Sequence, residues 1–147
     1  MTIKLISAQE TDVNRFVLLE SASDAHQYIL PYSADRHAIE MGRENTHYLS
    51  IYDSDEMIGF MILAVEEGES VEFRRIVIDK KDSGVGQKAI IAMEQYCREK
   101  LNKCRIWLDV FESNQRAMHI YKKCGFKTFS SGMYHQQRIW LMEKYLP

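Results

Sequence analysis

The sequence has 147 residues, of which 46% are hydrophobic and 27% charged, and it contains 7 glycines and 2 prolines. This composition is typical of a compact globular domain, and we interpret residues 1–147 as a single domain. The 19 lysines and arginines against 21 aspartates and glutamates leave a net charge of -2. Without a positive surplus the chain lacks the field that holds a phosphate backbone, so we expect no nucleic-acid partner.

Membrane and metal chemistry are also not expected. The longest apolar stretch, residues 57–65, is far shorter than the about 20 residues that span a bilayer, and the first residues lack the apolar segment of a signal peptide. The three cysteines, Cys97, Cys104 and Cys124, fit neither a disulfide framework nor a zinc site. These observations predict a reduced, cytoplasmic protein with no bound metal.

In chain order, the first predicted elements are two helices. Ser7 and Glu10 have the spacing of a capping box, which predicts an amphipathic helix that ends near Ser21. A loop around residues 28–31 follows, and then a short helix over residues 34–42 with Ser33 as its N-cap.

The remainder of the chain alternates strand and helix patterns. Predicted strands cover residues 48–52, 57–65, 71–78, 105–110, 126–130 and 138–142, and predicted helices follow Gly84 and cover residues 114–123. Ser131 and Gly132 are predicted to form the last turn. This order indicates an α/β (α+β) domain whose mixed sheet carries helices on both faces.

A glycine-containing loop lies between the strand that ends in Ile76, Val77 and Ile78 and the helix that follows. Unpaired N–H groups and the dipole at the start of a helix attract an anion, and glycines let a phosphate approach the backbone closely. The loop therefore predicts a phosphate site, although Gly84 and Gly86 are also what an ordinary tight turn requires.

One candidate ligand for this loop is a dinucleotide. Residues 84–89 satisfy the pattern G-x-G-x-x-A, and Asp109 ends the next strand at a suitable distance. However, residues 79–83 separate the strand from Gly84, whereas the dinucleotide turn is tight. The chain after Gly86 is also too short for a second nucleotide-binding half.

A second candidate uses more of the chain. Residues 81–86 are similar to the acyl-CoA signature Q/R-x-x-G-x-G/A of the GCN5-related N-acetyltransferase (GNAT) superfamily, with Lys81 in place of the usual Gln or Arg. A downstream block resembles the pattern N-x-x-A-x-x-x-Y-x-x-x-G-F of the same superfamily. Its fixed positions are all filled, by Asn114, Ala117, Tyr121, Gly125 and Phe126. The resemblance implies a GNAT-like fold with a mostly antiparallel sheet of about six to seven strands.

The resemblance also implies that acetyl-CoA is the acetyl donor. The strand before the loop would splay from its neighbour and pair with the pantetheine arm, and the first N–H groups of the helix would hold the pyrophosphate. The implied cofactor-binding residues are Ile76, Val77, Ile78, Lys81, Ser83, Gly84, Val85, Gly86, Gln87, Asn114 and Tyr121. Asn114 has a second interpretation, because the same side chain could simply cap its helix.

Tyr121 has the sharpest implied role. The resemblance places this phenol beside the thioester sulfur, where a group with a pKa near 10 can give a proton to the departing thiolate. From periodicity alone Tyr121 is a core residue, because it shares a helix face with Ala117, Ile120 and Cys124.

A second group must take a proton from the acceptor, because only the unprotonated amine attacks. Glu72 matches the catalytic glutamate of the superfamily's histone-modifying branch, and Asp109 matches that of the branch that acetylates a ribosomal-protein N-terminus. Each has a structural alternative, Glu72 as a partner of Arg74 or Arg75 and Asp109 as a strand-end cap. Glu72 ranks slightly above Asp109, and ordered water is the third candidate.

Together these features predict an N-acetyltransferase that moves acetyl from acetyl-CoA to a primary amine of a small molecule or peptide by direct attack in a ternary complex. The alternative is an acyl-CoA-binding sensor or scaffold of the same fold. The resemblance implies an acceptor groove from residues 23–44 and 130–137, whose acidic and aromatic residues suit a cationic acceptor but are also common on any soluble surface. A homodimer through the C-terminal strands is compatible with this architecture.

Overall fold

The computed structural model describes residues 2–22, 30–79 and 84–147. Its strands are β1 (Ile3–Ser7), β2 (Thr46–Asp53), β3 (Glu56–Val65), β4 (Ser70–Ile78), β5 (Arg105–Phe111), β6 (Lys127–Tyr134) and β7 (Gln137–Tyr145). They form a 7-stranded sheet in the order β1-β2-β3-β4-β5-β7-β6, in which only the β4–β5 pair is parallel. The mostly antiparallel sheet expected from the sequence is confirmed, and it is not the parallel sheet that a dinucleotide-binding fold requires.

Helices cover both faces of this sheet. They are α1 (Val13–Ala22), α2 (Ala34–Met41), α3 (Val85–Glu99) and α4 (Gln115–Lys123). The α1–α2 face buries an aromatic cluster that includes Phe16, Tyr48 and Phe60. The α3–α4 face buries a larger aliphatic cluster. No helix in the described part of the chain is long and apolar enough to cross a bilayer.

A β-bulge interrupts β4 at Arg74. Phe73 pairs with Leu63 and Arg75 pairs with the adjacent Ile62, so Arg74 has no partner of its own on β3. A bulge inserts one extra residue into the alternation of a strand, and it therefore turns two consecutive side chains to the same face. Both Arg74 and Arg75 accordingly reach residues of the α1–α2 face.

The parallel strands β4 and β5 stay paired for only part of their length. Their ladder runs from Ser70 opposite Arg105 to Glu72 opposite Trp107 and continues no further, whereas β5 pairs with β7 along its whole length. Residues 73–78 of β4 and 108–111 of β5 therefore border an opening in the sheet, which we call the fork. The splay expected at the end of β4 is present.

The N-terminus differs from the prediction. Residues 3–7, which received no prediction, form β1 and pair with β2 as an edge strand. The predicted capping box at Ser7 is wrong, because the reciprocal contacts are made by Gln9 and Asp12 one half-turn later. Asp12 accepts a hydrogen bond from the Gln9 N–H at 2.9 Å, and α1 begins at Val13.

The C-terminal turn also differs. Ser131 and Gly132, predicted as the turn, lie inside β6 opposite Trp140 and Ile139. The chain reverses instead at His135 and Gln136, whose φ angles are 48° and 66°. Positive φ at two successive residues is the signature of a two-residue hairpin turn, which Asn and Gly usually occupy. The cross-strand pairing outweighs the turn preference of serine and glycine here.

Candidate active site

The helix α3 begins beside the open end of the fork. Gly84 is its N-cap residue, with φ 72° and ψ 14°, and no side chain among the described residues caps the first turn. This left-handed backbone favours glycine, so Gly84 starts the helix where a side chain would be strained. Val85, Gly86 and Gln87 form the first turn, whose N–H groups have no partner within the helix. Lys81 and Ser83, the other predicted loop residues, lie outside the described residues.

The residues of β4 that precede this helix present a free strand edge. Ile76, Val77 and Ile78 pair with β3 on one side, and on the other side β5 has already diverged. Gly59 lets β3 approach closely, because a Cβ at that position would lie 2.2 Å from the Val77 carbonyl oxygen. An unpaired strand edge followed by an uncapped helix N-terminus fits an extended arm that ends in phosphates, as acetyl-CoA has.

Asn114 caps α4, as one of its two interpretations predicted. Its side-chain oxygen accepts a hydrogen bond from the Ala117 N–H at 3.2 Å. The cap uses the oxygen of the amide and leaves the NH₂ group for another partner. The two interpretations of Asn114 are therefore compatible with each other.

Tyr121 lies on α4 and packs against the β4 border of the fork. Its ring meets Phe73 edge-on with centroids 6.3 Å apart and Phe126 at 6.0 Å. Burial raises the pKa of the Tyr121 phenol well above its usual value, and the negative charge of Asp109 adds to the rise. The phenol therefore keeps its proton at neutral pH. The aromatic contacts that make Tyr121 a core residue also hold its ring in place.

Glu72 lies on β4 at the base of the fork and is paired with Arg74. The Nη2 and Nε atoms of Arg74 donate to the same Glu72 oxygen at 2.9 and 3.2 Å. The structural alternative for Glu72 is therefore present, with Arg74 and not Arg75 as the partner. Both hydrogen bonds are charge-assisted, and they occupy this carboxylate oxygen.

Asp109 lies on β5 two residues beyond the last β4–β5 pair. The neighbours Leu108 and Val110 face the α3–α4 core, so alternation directs Asp109 to the other face, where Glu72 and Arg74 lie. Partial burial raises the pKa of Asp109 from its usual value, and the negative charge of Glu72 raises it further, while Arg74 opposes the rise. The shift brings the pKa of Asp109 closer to neutral pH, and a carboxylate with such a pKa is a better general base.

A separate set of polar side chains ties α1 and α2 to the sheet, and we call it the anchor. It comprises Glu20, His37, Tyr48 and Arg75. His37 lies with Nε2 at 2.5 Å from the Glu20 carboxylate and Nδ1 at 2.8 Å from the Tyr48 hydroxyl. Arg75 pairs with the other oxygen of Glu20. Sequence reasoning missed this set, although Glu20 falls on the same helix stripe as Val13 and Phe16.

The described residues provide neither a reactive Cys97 nor a metal site. Cys97 is fully buried, and burial raises the pKa of its thiol to about 12, so it is a poor nucleophile. Within residues 2–22, 30–79 and 84–147, no group of three or more His, Cys, Asp or Glu side chains could hold a metal ion. The predicted acceptor groove is described only in part, since residues 23–29 lie outside the described residues.

Comparisons with known proteins agree with this geometry. The model of the acetyltransferase (GNAT) family matches residues 14–126. A probable spermine N(1)-acetyltransferase of Bacillus subtilis subsp. natto is 30% identical over 130 residues, which are 80% of this chain and 84% of that protein.

Solved structures share the fold. Spermidine N-acetyltransferase from Vibrio cholerae in complex with CoA and spermine superposes with a TM-score of 0.84 and 21% identity, over 97% of this chain and 95% of that one. A dodecameric structure of spermidine N-acetyltransferase from Vibrio cholerae has a TM-score of 0.78 and 21% identity, over 97% and 93% of the two chains. The family match covers most of the chain and coincides with the fork, α3 and Tyr121. The chain therefore belongs to the acetyltransferase (GNAT) family, and it is an acetyl-CoA-dependent N-acetyltransferase of primary amines.

Proposed function

We propose that the acceptor is the primary amine end of an aliphatic polyamine, and that Asp109 and Tyr121 carry the two proton transfers. The observation that carries this proposal is their placement on opposite sides of the fork. Tyr121 packs on Phe73 from the α3–α4 side, and Asp109 extends from β5 toward the α1–α2 side. A phenol and a carboxylate thus flank the same opening in the sheet.

Acetyl-CoA, when bound along β4, supplies the acetyl thioester. The free edge at Ile76, Val77 and Ile78 would pair with its extended arm, and the N–H groups of the first turn of α3, at Val85, Gly86 and Gln87, would hold its phosphates. Lys81 and Ser83 remain proposed contacts from the loop sequence alone. Asn114 would contribute its side-chain NH₂ group from the start of α4.

The reaction then requires two proton movements around one bond exchange. The amine nitrogen attacks the thioester carbonyl carbon, so a C–N bond forms and the C–S bond breaks. Asp109 accepts the proton that the nitrogen loses, directly or through a water molecule, and the Tyr121 hydroxyl gives a proton to the departing sulfur. A proton then passes from Asp109 through solvent to the Tyr121 phenolate, which restores both groups. The products are the N-acetylamine and free CoA thiol, and the positioning of both substrates in the fork supplies the rest of the acceleration.

We favour Asp109 over Glu72 as the base, which reverses the order that sequence alone suggested. The guanidinium of Arg74 already donates to the Glu72 carboxylate at 2.9 Å. Asp109 has a raised pKa and no lysine or arginine within ion-pair distance among the described residues. A carboxylate that is poised nearer neutrality and is not already occupied accepts a proton from an amine more readily.

The polyamine acceptor rests on charge and on similarity. Glu72, Asp109 and Glu40 place carboxylates on the α1–α2 side of the sheet near the fork, which favours an acceptor that carries positive charge. The 30% identical relative is named as a probable spermine acetyltransferase, and the Vibrio cholerae enzyme of the same fold was solved with spermine.

The test is an acceptor screen with detection of the released CoA thiol. Purified protein and acetyl-CoA are mixed with putrescine, spermidine, spermine, n-butylamine, and a peptide that has a free α-amine. We expect the polyamines to give the highest kcat/KM. Acetylation of the peptide alone would overturn the polyamine proposal, and binding of acetyl-CoA without thiol release for any amine would favour the sensor alternative.

We also propose a cytoplasmic location. Cys97, Cys104 and Cys124 are unpaired, as expected for a reducing compartment that supplies acetyl-CoA. Fractionation of cells that express the native chain tests this directly, and recovery from an extracellular or periplasmic fraction would contradict it.

Self-association is a further proposal. The edge strand β6 exposes the apolar residues Phe129 and Met133, and one solved relative of the same fold is a dodecamer. A second copy would pair with this edge and cover those side chains. Size-exclusion chromatography with light scattering measures the mass, and a monomer at millimolar concentration would contradict the proposal.

A further inference from the structure

Arg74 occupies an unusual position for a cation beside a site that takes amines. It lies on the β4 bulge, and its guanidinium donates to Glu72 at 2.9 Å while a second nitrogen lies 3.7 Å from Glu40 of α2. One arginine of the chain therefore bridges two carboxylates on the acceptor side of the fork. An acceptor ammonium group that approached either carboxylate would meet the guanidinium already there.

The other carboxylates on this face are also held by arginines of the chain. Glu40 accepts hydrogen bonds from Arg43 at 3.0 Å and from Arg36 at 3.2 Å. Burial by itself would raise the pKa of Glu40, but these two hydrogen bonds outweigh it and hold the pKa below its usual value. Glu40 therefore stays ionised and occupied.

Asp109 is the exception at the fork. Among the described residues no arginine or lysine lies within 4.0 Å of it, although Arg74 is near enough to influence its charge. The reacting nitrogen of the acceptor can thus approach Asp109, a carboxylate that no cation of the described residues pairs with. Any further ammonium group on the same acceptor is repelled by the positive charge of Arg74.

We propose that Arg74 is a specificity-determining residue. It limits how much each additional positive charge on the acceptor increases kcat/KM. The inference rests on the proposed polyamine function and deepens it. Each additional ammonium group is attracted by Glu72 and Glu40 but repelled by Arg74, so the benefit of the second, third and fourth charge is reduced. The preference for the most highly charged polyamine is then weaker than the carboxylates of this face alone would give.

The experiment compares acceptors that share a primary alkylamine end but differ in charge. For n-butylamine, putrescine, spermidine and spermine, kcat/KM is measured at low ionic strength in the wild type and in Arg74→Gln. Removal of the positive charge of Arg74 should raise the ratio of kcat/KM for spermine to that for butylamine about tenfold. The same increase should shrink in 0.5 M salt, because salt screens partly exposed charges.

Two further variants separate this role from a general change of charge or packing. Arg74→Lys keeps the positive charge, and its ratio should stay within about twofold of the wild type. Arg43→Gln removes an equal charge from the same Glu40, but Arg43 is exposed and, among the described residues, pairs with Glu40 and not with Glu72, so its effect on the ratio should be much smaller. Thermal unfolding is recorded for each variant, and Arg74→Met replaces Arg74→Gln if the glutamine impairs folding.

The outcomes are distinguishable. If the wild type acetylates the series and Arg74→Gln leaves the ratio unchanged or lowers it, the inference is wrong and the proposed function stands. An equal rise in Arg43→Gln would also overturn it, since bulk charge would then explain the result. If the wild type acetylates none of the four amines, the proposed function fails and this inference fails with it.

Discussion

The anchor and the fork place charged side chains on the same face of one sheet, but they differ in how far water reaches them. In the anchor, Glu20 and His37 are 0% exposed and Arg75 is 8% exposed. At the fork, Arg74 is 34% exposed and Asp109 is partly exposed. The two sets lie on neighbouring segments of the chain, since Arg74 and Arg75 are consecutive residues.

The difference separates charges that their partners enclose from charges that a ligand can reach. A buried charge is tolerated only when its partners satisfy it, and the anchor meets this condition with contacts from α1, α2, β2 and β4. A carboxylate that must accept a proton from a ligand needs the opposite condition, namely a raised pKa and an oxygen atom that the ligand can reach. Asp109 meets this second condition.

The largest expected effect comes from opening the anchor. Arg75→Met leaves the buried Glu20 carboxylate without its guanidinium, and the loss of one partner from a buried pair costs about 3–5 kcal/mol. For a domain of this size, the melting temperature should fall by roughly 10 °C.

The matched control is Arg138→Met, which breaks the exposed pair with Glu112 at 3.6 Å. An exposed pair contributes at most about 1 kcal/mol, so this variant should melt close to the wild type. Equal losses in the two variants would mean that the anchor is no more structural than a surface pair.

At the fork, Tyr121→Phe should lower kcat by about 100-fold, because a positioned general acid contributes at least that factor. The ring contacts with Phe73 and Phe126 remain, so the melting temperature should hardly change. Steady-state kinetics with thiol detection measures the loss. Tyr145→Phe, an exposed tyrosine on β7, is the control, and unchanged kcat in Tyr121→Phe would exclude the acid role.

Asp109→Asn should combine a loss of activity with a gain of stability. In the wild type, kcat/KM should rise with pH through the raised pKa of Asp109, because only the ionised form accepts a proton; the asparagine variant should lack this limb. A carboxyl group whose pKa is higher in the folded than in the unfolded state lowers the free energy of unfolding at pH values above its folded pKa. At pH values below its unfolded pKa this loss is absent.

Thermal unfolding against pH therefore checks the same residue independently. Asp109→Asn should melt above the wild type at pH 7, and the difference should vanish below the usual aspartate pKa of about 3.9. A wild-type pH profile that survives in Asp109→Asn but disappears in Glu72→Gln would restore Glu72 as the base.

The smallest expected effect separates the two interpretations of Asn114. Loss of the N-cap in Asn114→Ala should cost about 1 kcal/mol of stability. Asn114→Ser keeps a good N-cap but lacks the amide NH₂ group, so it should restore the melting temperature while KM for acetyl-CoA stays raised. Full recovery of both quantities in Asn114→Ser would limit Asn114 to capping.

Sequence reasoning located the fork because its markers are local. The strand that ends at Ile78, the left-handed Gly84 and the helix that carries Tyr121 each depend on spacing within a few turns. The same reasoning could not rank Glu72 against Asp109. Their order depends on the guanidinium of Arg74, and the direction of that side chain follows from a bulge in the β3–β4 register.

The missed elements have a similar origin. β1 is short and half-buried, so its alternation carries little signal without the β2 edge on which it pairs. The turn at His135 and Gln136 uses residues that seldom adopt positive φ, whereas Ser131 and Gly132 are common turn residues that cross-strand pairing keeps extended. In both cases partners distant in sequence determine the local conformation.

Because the β4 bulge adds a single residue, Arg74 can be substituted without disturbing the contacts of Arg75. In a regular strand, consecutive side chains point to opposite faces, so Arg74 and Arg75 could not both act on the α1–α2 side. With the bulge, a change at the exposed position 74 leaves the sealed position 75 and its contacts intact. Under the role proposed for Arg74, a single substitution changes the acceptor preference and leaves the attachment of the N-terminal helices intact.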